Sequence, residues 1–227
     1  SIDRIAALGG GIAVQHRMAY QGEYFVERYG AGAAEATPPV ARMLEKGVKV
    51  SAGTDATRVA SYNPWVSLAW LVTGRTVGGL RIYPQRNCLD RETALRMWTE
   101  NVTWFSNEEG KKGRIEVGQL ADLTLPDRDY FSCAEDEIAD IASDLTIVGG
   151  TIVYAAGDFA DLGHIEDLED LRIAQHGFAQ GRREQAGHRL LNVINQVVDD
   201  VVIADLDARA FGRLARFLVG AHVEGDD

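Results

Sequence analysis

Two places in this chain carry side chains able to do chemistry at the end of an apolar run. In Val50-Ser51-Ala52-Gly53-Thr54-Asp55-Ala56, a carboxylate follows directly on a short strand-like segment. The C-terminal ends of parallel strands are where α/β folds keep their sites. Gly53 and its small neighbours would let a ligand or metal approach the backbone there. An acid at that point can bind a cation or take a proton from an attacking water. It can equally cap the following turn, as loop aspartates do. His16 and Arg17 follow Ile12-Ala13-Val14 in the same way. Facing the same end, they could line a substrate pocket, with Arg17 clamping a carboxylate or carbonyl oxygen. The other reading is a hydrogen-bonded structural histidine beside a solvated arginine.

The elements that would position these groups can be read from stops and caps. Ser1 can cap a helix over 2–8, which Gly9-Gly10-Gly11 ends. The strand at 12–14 comes next, then a longer connection rich in Tyr, Gly and Ala (20–36). Thr37-Pro38-Pro39 predicts a helix to about residue 46 with Thr37 as its cap, closed by Gly47 before the strand at 48–53. Helix, glycine and strand, twice repeated, predict a parallel α/β sheet. Pro64–Val72 and a run from Leu89, capped by Asp90 and reaching Val102, predict further helices. Beyond Gly110 the texture turns β-branched and glycine-rich over 114–126 and 144–154, with Gly149-Gly150 as the turn of an antiparallel element. Residues 163–227 carry 12 acidic and 7 basic side chains and no proline. They predict helices with apolar faces at Leu190–Val198 and Leu206–Leu218, a hairpin packed on the protein or a partner-binding pair.

Composition narrows the classes. The chain has 227 residues with a net charge of −11. That acidity argues against nucleic acid as a partner, since a phosphate-backbone binder needs a basic patch. No stretch nears the ~20 apolar residues of a membrane span. Cys88 and Cys133 are the only cysteines, too few for a disulfide framework or a four-cysteine metal site, so a reducing, cytoplasmic setting is expected. Gly9-Gly10-Gly11 precedes its strand instead of following it, which removes a dinucleotide-binding reading.

Five segments in order resemble the amidohydrolase superfamily, specifically the branch called amidohydrolase family 3. Val50–Ala56 is similar to that family's last barrel strand, with its aspartate in a Gly-Thr/Ser-Asp setting. Asn63-Pro64-Trp65 with Val72-Thr73-Gly74, then Arg91–Leu95 with Thr99, are similar to the segments that follow it. Gly113–Leu123 resembles the signature G-x-I-x-x-G-x-x-A-D-L, where the chain leaves the barrel for a small β-sandwich. Thr146–Tyr154 resembles the closing strand pair. The resemblance covers roughly residues 1–160. It implies the last βα units of a TIM barrel over 1–110, a sandwich segment over 111–162 and an acidic helical extension over 163–227.

For function, the resemblance implies a metal-dependent hydrolase of amide or other non-peptide C–N bonds in a small-molecule substrate. One or two divalent ions, zinc being the expected metal, would activate water, and Asp55 would bind metal and receive the proton. Thr57, Arg58 and Asn63 fall in the loop where such enzymes contact substrate. The family's His-x-His pair is absent, and His16, His164, His176, His188 and His222 stand at no metal-pair spacing, so residues 1–227 alone are expected to be inactive. Two barrel strands cannot close a sheet, so homo-oligomerisation, or cover by the tail, is expected. The rival reading is a non-catalytic α/β module whose acidic helical tail binds a protein partner.

Overall fold

The structure is a computed structural model that describes residues 2–55 and 60–164. It contains two compact units, one formed by residues 1–109 with 131–141, the other by 110–130 with the chain from 142 onward.

The first unit begins with helix α1 (Ile2–Ala7), stopped at Gly9, and strand β1 (Gly11–Gln15). Strand β2 (Lys49–Gly53) pairs with β1 in parallel, Ile12 opposite Val50 and Gln15 opposite Gly53. Val50, Ser51 and Ala52 are all buried, so β2 is covered on both faces, as a parallel strand between helices should be. The Asn101 side chain donates to the Val50 carbonyl at 2.9 Å.

Between these strands the expected connection is helical. Helix α2 runs Arg17–Tyr29 and α3 runs Ala31–Ala34. Met18, Ala19 and Gly22 are its buried residues, an i, i+4 stripe that the glycines and tyrosines of the segment disguise. Helix α4 (Val40–Glu45) starts at Pro39, not Thr37. Thr37 stands two residues before the cap position, and its hydroxyl donates back to the Ala33 carbonyl at 2.6 Å.

Helix α5 (Pro64–Thr73) buries seven of its ten residues, including Trp65, Leu68, Trp70 and Leu71. Asn63 caps it, and Gly74 ends it in the left-handed region at φ 66°. A Cβ on Gly74 would lie 2.8 Å from Tyr83 Cβ, so only glycine fits that turn. Helix α6 (Arg91–Trp98) starts as expected at Asp90, whose carboxylate accepts from the Thr93 amide at 2.8 Å. Val102 belongs to a separate helix, α7 (Val102–Ser106). A 3-10 turn, Glu135–Asp140, completes the unit, with Ile138 fully buried.

The second unit holds β3 (Leu123–Pro126), β4 (Ser143–Val148) and β5 (Thr151–Ala155) in one antiparallel sheet, ordered β3-β4-β5. Residues 114–122, expected to extend that sheet, contribute no strand. Leu125, Leu145 and Ile147, with Tyr130 and Phe159, are among its buried side chains. Asp122 accepts from the Gly149 amide at 2.8 Å and fixes the Gly149-Gly150 turn. Among the described residues no helix is long and apolar enough to cross a membrane. The helices expected over 163–227 lie outside the described residues, apart from a 3-10 segment, Gly157–His164.

Candidate active site

The parallel register brings the C-terminal ends of β1 and β2 level, and Asp55, His16 and Arg17 lie within two residues of them. Asp55 sits two residues past β2, exposed, with its backbone in the left-handed region at φ 50°. Non-glycine residues adopt that conformation rarely, and it concentrates at functional sites.

The partner of Asp55 comes from β1. Gln15, last residue of that strand, donates from Nε2 to Asp55 Oδ2 at 3.1 Å. A carboxylate oxygen only accepts, so this bond fixes which way the Gln15 amide faces. Its oxygen must turn inward, where Oε1 is buried and has no hydrogen-bond partner among the described residues. A buried acceptor left unpaired costs about 1–3 kcal/mol. The sequence marks Gln15 only as a polar residue ending an apolar strand; its pairing level with Gly53 comes from the structure.

His16 precedes the first turn of α2 without capping it, and its ring is completely covered. Tyr20 lies against it, ring centroids 5.6 Å apart. Neither ring nitrogen makes a hydrogen bond of ordinary geometry among the described residues. Burial pushes its pKa below the usual imidazole range, opposed in part by the nearby Gly53 backbone. A neutral imidazole is the consequence near pH 7.

Arg17 is exposed and donates from Nε to Gln21 Oε1 at 2.8 Å. With Gln15, Ile12, Met18 and Phe25 it borders a cavity of about 550 Å³ between β1 and α2. Asn63 is engaged within the fold: Oδ1 accepts from the Trp65 amide at 2.9 Å and Nδ2 donates to the Ala139 carbonyl at 3.5 Å. Thr57 and Arg58 lie outside the described residues, as do His176, His188 and His222. The structure thus brings Asp55 and Gln15 together, buries His16 against Tyr20, and gives Asn63 a capping task.

Among the described residues no group of three or more His, Cys, Asp or Glu could hold a metal ion. Catalytic zinc takes three protein ligands, so these residues alone do not fit one; Asp55 offers a single carboxylate. Cys88 is pushed up by burial, against the opposing pull of Arg81, and stays an unreactive thiol.

An exposed carboxylate past the C-terminal end of a parallel strand pair is the placement that α/β folds use for their sites. Residues 1–154 match the model of the amidohydrolase family, and the chain belongs to that family. Over 117 residues it is 33% identical to an N-substituted formamide deformylase from Arthrobacter pascens. That stretch is 51% of this chain and 21% of the deformylase, about a fifth of its length. An uncharacterized metal-dependent hydrolase from Pyrococcus horikoshii OT3 shares the fold, with a TM-score of 0.50 at 21% identity over 60% of this chain and 28% of that one.

Proposed function

We propose that this chain is the C-terminal part of a hydrolase of amide or other non-peptide C–N bonds, in which Asp55 carries the proton and is one ligand of the metal, expected to be zinc. The observation that carries the reading is the Asp55 carboxylate, exposed past β2 and held at one oxygen by Gln15. In this reading β1 and β2 with their helices are the last βα units of a TIM barrel, and the β3-β4-β5 sheet is part of a small sandwich. The parallel pairing of the first two strands and the antiparallel order of the other three support it.

The water that attacks the carbonyl must lose a proton, and the leaving nitrogen must gain one. A carboxylate at the strand end can do both in turn. Arg17, exposed at the start of α2, is the candidate for holding a substrate oxygen. N-substituted formamides, named by the relative, are the first substrates to assay.

Asp55→Asn in the full-length product tests the assignment. Asn keeps the size and an acceptor oxygen for Gln15 but cannot take the proton, so kcat should fall about 10²–10⁴-fold with little change in KM. A turn cap would instead lose about 1 kcal/mol of stability and keep normal turnover. Normal kcat in the variant sinks the catalytic assignment.

A further inference from the structure

Gln15 is an odd residue for its position. It ends a strand paired along its length with β2, and its amide oxygen is buried without a partner among the described residues. Methionine or leucine would occupy the same space with no polar atom to satisfy. What glutamine alone provides is the bond from Nε2 to Asp55 Oδ2. Asp55 in turn has no other side-chain hydrogen bond among the described residues, and its backbone is in a region that does not by itself hold the carboxylate still. The two residues stand 40 apart in sequence and meet only through the β1–β2 register. An unsatisfied polar atom retained beside a strained residue points to a working contact.

We infer that Gln15 is a positioning residue for Asp55: its Nε2 hydrogen pins Oδ2, which fixes the rotation of the carboxylate and presents Oδ1 to the reacting group. This rests on the reading of Asp55 as proton carrier. A second consequence follows from the orphan oxygen. Removing the glutamine amide should cost turnover while leaving stability unharmed or improved, the opposite of what a structural hydrogen bond would give.

The test uses Gln15→Met and Gln15→Glu in the full-length product, with an N-substituted formamide as substrate. Losing the alignment of a reacting group costs on the order of 10²-fold. Gln15→Met should lower kcat by about 10- to 100-fold, leave KM within about twofold, and hold or raise the melting temperature. Gln15→Glu, which has no hydrogen to give and repels Asp55, should be at least as slow. In an Asp55→Asn background Gln15→Met should cost little more, since it acts only through that carboxylate. Unchanged kcat in Gln15→Met overturns the inference, and so does an equal loss in both backgrounds or a fall in melting temperature matching the fall in rate. A readout free of turnover separates it from the hydrolase reading: the Gln15 side-chain amide resonances of residues 1–227 should shift on Asp55→Asn. Unmoved resonances overturn the positioning role and leave the hydrolase reading standing. Shifted resonances in a product that hydrolyses no amide overturn that reading and the role built on it.

Discussion

Gly22 lies so close to Thr76 that a methyl group in place of its hydrogen would sit 2.6 Å from Thr76 Cγ2 and 3.1 Å from Ile82 Cδ1. Thr76 cannot turn aside, because its hydroxyl donates to Glu23 and accepts from the Leu80 amide. In an exposed helix Gly→Ala stabilises by about 0.5–1 kcal/mol. Here the sign should reverse: Gly22→Ala is expected to destabilise by about 1–3 kcal/mol, the usual cost of overpacking. Thermal melts of residues 1–227 check this, and a raised melting temperature would contradict it.

Asn63 distinguishes capping from substrate contact. Removing a helix cap costs about 0.5–2 kcal/mol. Asn63→Ala should lower the melting temperature and leave KM near normal, while Asn63→Ser, which still caps, should recover most of the loss. A KM raised tenfold in a stable variant would return Asn63 to the substrate.

His16 sets a pH dependence. Its imidazole is held below the ordinary value near 6.5, so the unfolded chain takes up a proton at a pH where the folded chain still does not. Stability is therefore independent of this group above about pH 6.5, falls as pH drops below it, and levels once the folded ring itself protonates. Melting temperatures from pH 8 to 5 should show this decline in the wild type and a shallower one in His16→Gln. Parallel curves would remove the assignment.

Metal retention tests the incomplete donor set. Residues 1–227 should release added zinc on dialysis, because Asp55 is the one ligand proposed among the described residues. One zinc retained per chain would mean that residues outside those described, His176, His188 or His222 included, complete a site.

The parts of the fold legible in the sequence were those marked by local chemistry. Gly9, Gly47 and the cap Asp90 bound their elements in the structure as the sequence predicts, whereas the cap role of Asn63 emerges only in the structure. Helix α2 was hidden because Gly22 reads as a breaker, and its reason for being glycine is Thr76, 54 residues on. The start of α4 differs because Thr37 before two prolines suggests a cap, while the helix begins only after Pro39. Asp55 was legible from the string around it. Gln15 was not, since its role exists only once two strands are laid side by side in register.

The bond from Asn63 to Ala139 joins residues 76 apart, and Ile138 beside it is fully buried in the first unit. All of β3 lies in the intervening chain, within the other unit. During synthesis the first unit therefore cannot finish until well past its apparent end at residue 109. Its last side chains arrive after a strand of the neighbouring unit has already emerged. Such long-range closure slows folding, and a product stopped at residue 109 would lack Ile138. Where the ribosome pauses between residues 109 and 141 thus bears on how much of this protein reaches its folded state.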